Sequence, residues 1–158
     1  MTRRSHATVV TLMVHLVGGL ALLLCALFTG AAIYINVAEH PARLSCGTEA
    51  AARQWIPSYK RAAKMQATLA ISAAVTGVVT WLHGEGIAWL WGGLLILAVV
   101  PLTLAIIKPT NDRLLAPGRD LASAETRQLL ERWGRLHAVR SVFGLAASLV
   151  YVYGVMSL

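Results

Sequence analysis

Apolar residues in this chain collect in four runs separated by polar punctuation. The first extends from Ala7 to Val37 and is interrupted only by groups such as His15 and Asn36. At about 1.5 Å per helical residue it is longer than the roughly 30 Å of a bilayer's hydrocarbon, which predicts a helix that tilts or projects beyond it. The second run, Ala62 to Leu82, is rich in Ala, Val and Thr, and the turn His83-Gly84-Glu85-Gly86 ends it. Its small residues Ala70, Ala73, Ala74 and Gly77 favour close helix packing in lipid. The third run, Ala88 to Ile107, opens on Trp89 and Trp91, is expected to kink at Pro101, and closes at Lys108-Pro109. A polar stretch follows, helical from Ser123 to Arg135, and the fourth run covers Trp133 to Met156. The pattern predicts an all-α, integral membrane four-helix bundle, one domain over residues 1–158, with spans at about 7–37, 62–82, 88–107 and 133–156.

Composition agrees. The 158 residues are 57% apolar and 13% charged, against about 45–50% and about 25% in soluble domains. The net charge of +7 raises the question of nucleic acid. The basic residues flank apolar runs as topology signals do, and no basic–aromatic module accompanies them, so no nucleic-acid partner is expected. Arg3 and Arg4 before an apolar stretch resemble a signal peptide. The run is far longer than the usual core of about 7–15 residues, so it reads as a span. Cys25 lies inside the first run and Cys46 after it, with no CxxC or Cys/His cluster, so both are read as free thiols.

Four spans put both termini and the 83–87 turn on one side, and the 38–61 and 108–132 loops on the other. The loop side carries Arg43, Arg53, Lys60, Arg61, Lys64, Lys108, Arg113, Arg119, Arg127, Arg132 and Arg135; the terminal side has Arg3 and Arg4. The positive-inside rule then places both loops in the cytoplasm and both termini outside, in a cell's inner (plasma) membrane.

Three segments bearing polar chemistry converge on the loop side. One is Tyr34-Ile35-Asn36-Val37-Ala38-Glu39-His40-Pro41-Ala42-Arg43, where Pro41 is expected to stop the first helix. The second is Lys108-Pro109-Thr110-Asn111-Asp112-Arg113; the third is Trp133-x3-His137-x2-Arg140, an aromatic, an imidazole and a guanidinium on one helical stripe. Ionisable groups at membrane depth usually face a bundle interior or a wet cavity. Arg140 cannot shed its charge, and Glu39 is its expected partner, unless Arg140 snorkels to headgroups. His40, His137 and Glu39 resemble part of a metal site but lack HxxxH or ExxH spacing. His15 is expected to make a helix-packing hydrogen bond, His6 and His83 to be solvated, and Trp55 and Tyr59 to anchor at the interface.

Taken together, Gly30-Ala31-Ala32-x-Tyr34-x-Asn36 leading into Glu39-His40-Pro41-Ala42-Arg43, then Pro101 through Pro109-x-Asn111-x2-Leu114, then Trp133-x3-His137-x2-Arg140, resemble the anthrone oxygenase-like family of small four-helix membrane proteins. The resemblance spans nearly the whole chain in order. It implies oxygenation of an activated aromatic, polyketide-type carbon, with O₂ as co-substrate and no cofactor. His137 or His40 would be the base, with Arg140 and Asn111 stabilising the enolate and Glu39 in the same catalytic group. Trp133 and Tyr34 would stack on a flat substrate, with Asn36, Arg43 and Arg113 completing the substrate-binding set. An apolar small molecule of this kind would partition into the lipid bilayer.

Two other classes use the same residues. In a non-catalytic accessory or binding protein, Glu39, Arg140, Asn111 and His137 would tie the helices together as a structural network. In a redox protein, His40 and His137, with Glu39, would hold a metal or haem. A transporter fits less well, because paired inverted halves and broken helices are lacking. The small-residue face of the second helix could pack within the bundle or against another copy in a homo-oligomer.

Overall fold

The computed structural model describes the backbone of residues 3–158 and the side chains of residues 8–158. The side chains of Arg3, Arg4 and His6, used above for topology and surface placement, lie outside the described residues. Among the described residues, four helices are long and apolar enough to cross a membrane: Thr8–Ser45, Thr48–Leu82, Ala88–Leu114 and Ala124–Met156. Among the described residues there is no strand. The first helix packs against the second and fourth, and the third closes the square against the same two. The result is an up-down-up-down bundle.

Apolarity is distributed as lipid requires. Large side chains such as Leu16, Leu104 and Val142 remain exposed, while Ala21, Ala32, Ala70, Ala73 and Ala147 are buried. With lipid outside, there is little gain from burying a leucine, and close backbone approach favours small residues between helices. Gly77 shows this directly, since a Cβ there would sit 2.1 Å from the Tyr151 hydroxyl. That hydroxyl donates to the Ala73 carbonyl at 2.8 Å, which satisfies a polar group that has no water to turn to.

The helices outrun the apolar runs that predicted them. Residues 38–61 are not a loop: helix continues to Ser45, turns at Cys46 and Gly47, and restarts at Thr48. Gly47 takes φ 90°, which a glycine adopts without strain. The polar residues that looked like loop are helix beyond the apolar stretch, with Glu49 and Arg53 paired at i,i+4 (2.7 Å). Residues 108–132 likewise shrink to a short connection. The third helix persists to Leu114, and the fourth starts at Ala124, capped by Ser123, whose hydroxyl accepts from the Thr126 amide at 3.2 Å.

Neither Pro41 nor Pro109 stops its helix. Each follows a single π turn, Ile35–Glu39 and Thr103–Ile107, closed by His40 N–H to Ile35 O and Lys108 N–H to Thr103 O. The wider turn restarts the hydrogen-bond ladder so that each proline falls in the first turn of the next α segment, where its missing N–H costs nothing. Such π turns are common at functional sites. Both lie toward the same end of the bundle.

The core has two parts along the bundle axis. One is built on Phe28, Ala70, Ala73, Trp89, Ile96 and Tyr151; the other, toward the loop end, on Ile35, Trp55, Ile107, Leu130 and Trp133. Trp55 is thus a buried core residue and not the interfacial anchor expected of it; Trp89 is buried as well, whereas Trp91 is exposed. His15 meets Glu85 at 3.7 Å, tying the first helix to the turn after the second.

Candidate functional site

The loop-end core holds an unusual density of polar groups. Asn36 leaves the first π turn and donates from Nδ2 to the Gly134 carbonyl at 2.9 Å. With the amide so oriented, Oδ1 faces His137 Nδ1 at 2.7 Å and accepts from the Ser141 hydroxyl at 2.8 Å. An acceptor at Nδ1 places the neutral imidazole's proton there, leaving Nε2 with the lone pair. His137 is buried and carries a defined tautomer.

His40, one π turn after Asn36, is buried too. Its Nε2 lies 2.9 Å from the Leu130 carbonyl and therefore donates, while Nδ1 has no partner. The ring comes so close to the fourth helix that a Cβ at residue 134 would lie 2.7 Å from Cδ2, which accounts for Gly134. Trp133 packs on both imidazoles, with centroids at 5.0 Å from His40 and 4.8 Å from His137. Trp55 meets Trp133 edge-on at 5.6 Å and stacks on Tyr59 at 4.8 Å.

Arg140 does not pair with Glu39. Its Nη2 donates to Gln66 Oε1 at 2.9 Å, its guanidinium stands 5.6 Å over the Phe28 ring, and Nε has no partner. Glu39 is instead held by Arg43, and it accepts from Gln54 and Ser58 at 3.0 Å each. The reason is local. Glu39 and Arg43 are i,i+4 in a helix that does not stop at Pro41, so the carboxylate finds its cation on its own strand of helix. Arg140 is 8% exposed, and among the described residues no carboxylate pairs with it. A buried guanidinium of this kind is costly unless an anion joins it.

Arg43, Tyr59, Gln66, Trp133, His137 and Arg140 surround a cavity of about 20 Å³, room for one water-sized molecule. The unpartnered buried donors Arg43 Nε and Nη1, Gln66 Nε2 and Arg140 Nε belong to side chains on its wall. Asn111 joins from the third helix, donating to the Tyr59 hydroxyl at 3.1 Å with Oδ1 unpartnered. Tyr34 and Arg113 stand apart. Tyr34 is 60% exposed and Arg113 pairs with Glu125 at 2.7 Å.

As a metal set, His40, His137 and Glu39 are not assembled. Both imidazoles are hydrogen-bonded in different directions and Glu39 is engaged by Arg43. Among the described residues, no group of three or more His, Cys, Asp or Glu is placed to hold a metal ion. Sequence reasoning missed Gln66, Ser58 and Ser141, and treated Trp55 and Tyr59 as peripheral. Gln66 is the one side-chain amide in the Ala62–Leu82 run, which was signal enough to single it out.

A family model described as anthrone oxygenase matches residues 55–150. An anthrone oxygenase, tpcL, of Aspergillus fumigatus is 29% identical over 132 residues, covering 77% of this chain and 82% of that protein. The anthrone oxygenase ptaC of Pestalotiopsis fici is 33% identical over 113 residues, 63% of this chain and 80% of its own. An anthrone oxygenase of Claviceps purpurea is 28% identical over 143 residues, 82% of each. No solved structure gives a significant match.

Proposed function

The chain belongs to the anthrone oxygenase family, and we propose that it oxygenates an activated methylene in a flat, apolar, polyketide-type aromatic drawn from the bilayer. The observation that carries this reading is the buried Arg140, which lacks a carboxylate and shares a cavity wall with His137. Such a pair suits a substrate that is neutral when it arrives and anionic when it reacts.

His137 Nε2 takes a proton from the methylene. The charge moves to the conjugated carbonyl oxygen, where Arg140, with the free Nε2 of Gln66, holds it in a site from which water is excluded. Holding the oxyanion makes carbanion formation accessible near neutral pH. The carbanion passes an electron to O₂, the resulting radical pair combines to form the C–O bond, and the proton held on His137 Nε2 returns to the terminal oxygen to give a hydroperoxide. Loss of the remaining C–H proton to base, with cleavage of O–O, releases water and leaves a new carbonyl. One methylene and one O₂ become one carbonyl and one water, so the balance needs no external reductant and no cofactor. Asn36 fixes the tautomer of His137, and Trp133 supplies an aromatic face beside it.

The basic residues of the loop end propose that this end lies on the cytoplasmic side of the plasma membrane. The reading is tested with protein in nanodiscs supplied with an anthrone. O₂ uptake should match anthrone consumption, ¹⁸O from ¹⁸O₂ should enter the new carbonyl, and His137→Ala should lower turnover at least about 10²-fold. Turnover unchanged in His137→Ala would remove that residue as the base. No O₂ uptake by the wild type would leave the polar cluster as a structural tie between helices.

A further inference from the structure

The inner cavity, at about 20 Å³, admits a water-sized molecule but no aromatic ring. A second space lies against it. Between the second and third helices a groove of about 210 Å³ opens on the outer surface of the bundle, lined by Ala63, Ala67, Val99, Val100, Thr103 and Leu104. Tyr59, Gln66 and Arg140 also line it, and these three together with Ala63 line the inner cavity as well.

We propose that this groove is where the substrate enters sideways from the lipid and where its ring system lies, across the floor that Gln66 and Arg140 share with the inner cavity lined by His137. The proposal rests on the oxygenase reading for the identity of the occupant, a flat tricyclic aromatic ketone or its quinone product.

Three features carry it. The wall is apolar apart from Thr103, whose hydroxyl proton is spent on the Val99 carbonyl at 2.6 Å and is not free for a ligand. The floor carries two side chains more than nine-tenths buried, each with an unpartnered donor, Gln66 Nε2 and Arg140 Nε. Buried donors left unpaired beside an apolar slot are the pattern of a ligand site, in which shape sorts the ring and a few polar groups fix its orientation. Finally, the third helix is irregular along this wall. Its α-helical ladder is interrupted at Ala98, and the π turn begins at Thr103, so the wall departs from a straight helix where the groove lies. Leu104 is exposed at the rim, facing the phase in which an apolar aromatic would dissolve.

Ala67 lines the groove but not the inner cavity, so a bulky residue there fills the one without touching the other. Met65 is exposed on another face of the same helix and serves as the control. Nanodiscs containing wild type, Ala67→Trp or Met65→Trp are equilibrated with anthraquinone, and retention is compared with empty nanodiscs; anthrone turnover is then measured on the same samples. Wild type and Met65→Trp should retain anthraquinone above the lipid background, Ala67→Trp should not, and its KM for anthrone should rise at least about tenfold with kcat less affected. Equal retention and equal KM in Ala67→Trp, or no retention by wild type, would overturn the groove. Retention by wild type without any O₂ consumption would leave the groove standing and remove the oxygenase reading instead.

Discussion

Arg140 donates to the side-chain oxygen of Gln66 at 2.9 Å, so a guanidinium buried in the bundle is matched with a neutral amide where a carboxylate would cancel its charge. The amide holds the guanidinium in position and leaves its charge for a ligand. Gln66→Glu would supply the missing carboxylate at nearly the same volume. The variant should fold, with a Tm in detergent no lower than wild type, and lose at least about tenfold in kcat/KM because the new carboxylate competes with the substrate's oxyanion. Thermal unfolding and O₂ uptake on one preparation check both halves. A fall in Tm with activity retained would contradict this role.

Asn36 is the next point of leverage. It holds the His137 tautomer through one amide that is itself fixed by the Gly134 carbonyl and Ser141. Asn36→Leu removes the acceptor at Nδ1 and frees the ring to flip or tautomerise. Loss of the group that orients a catalytic imidazole costs up to about 10⁴-fold, so a drop in kcat of at least about 10²-fold is expected, with KM for anthrone moving much less. Steady-state kinetics over a range of anthrone concentrations separate the two. A change confined to KM would mean Asn36 acts on binding alone.

The bundle and the polar loop end were legible in the chain because apolar run length and charge placement are read residue by residue. Pairings across helices were not. Glu39 was expected to serve Arg140, and the error traces to Pro41. A proline reads as a helix stop, yet the π turn over Ile35–Glu39 carries the helix past it and places Arg43 at i,i+4 from Glu39. One extra residue in a turn rotates everything beyond it by about 100° relative to an α-helix of 3.6 residues per turn, and apolar periodicity does not reveal it. Gln66 was overlooked for a different reason. A single amide in an apolar helix carries no signal of its partner until the fourth helix brings Arg140 to it.

The Gly134 position supports a stability prediction. A Cβ there would come within 2.7 Å of His40 Cδ2 and 2.8 Å of Nε2. The ring would have to withdraw from the Leu130 carbonyl, leaving a buried donor unpaired. Gly134→Ala should destabilise the protein by about 1–3 kcal/mol. His40→Ala removes the clash, so the double variant should be less destabilised than the sum of the singles. Strict additivity in chemical unfolding would show that the two residues do not meet.

The cysteines report orientation without engineering. Cys46 is exposed at the corner between the first two helices, and Cys25 is buried against Thr29 and Ser148. If the loop end is cytoplasmic, a membrane-impermeant maleimide should leave intact cells unlabelled and modify one thiol after the cells are opened. Cys46→Ser should abolish that signal. Labelling of intact cells would reverse the orientation.

The π turn itself can be removed. Val37 lies within it and is 73% exposed, so deleting it sacrifices little packing. Without the extra residue the helix returns to α register, and Asn36 and His40 can no longer both keep their partners on the fourth helix, the Gly134 and Leu130 carbonyls. Either the segment above the deletion or the one below it must rotate by about 100°. Circular dichroism should show helix content unchanged, while O₂ uptake should fall at least about 10²-fold, as misplaced catalytic groups do. Activity within twofold of wild type would show that the π turn shapes the corner at Cys46 and Gly47 but not the site.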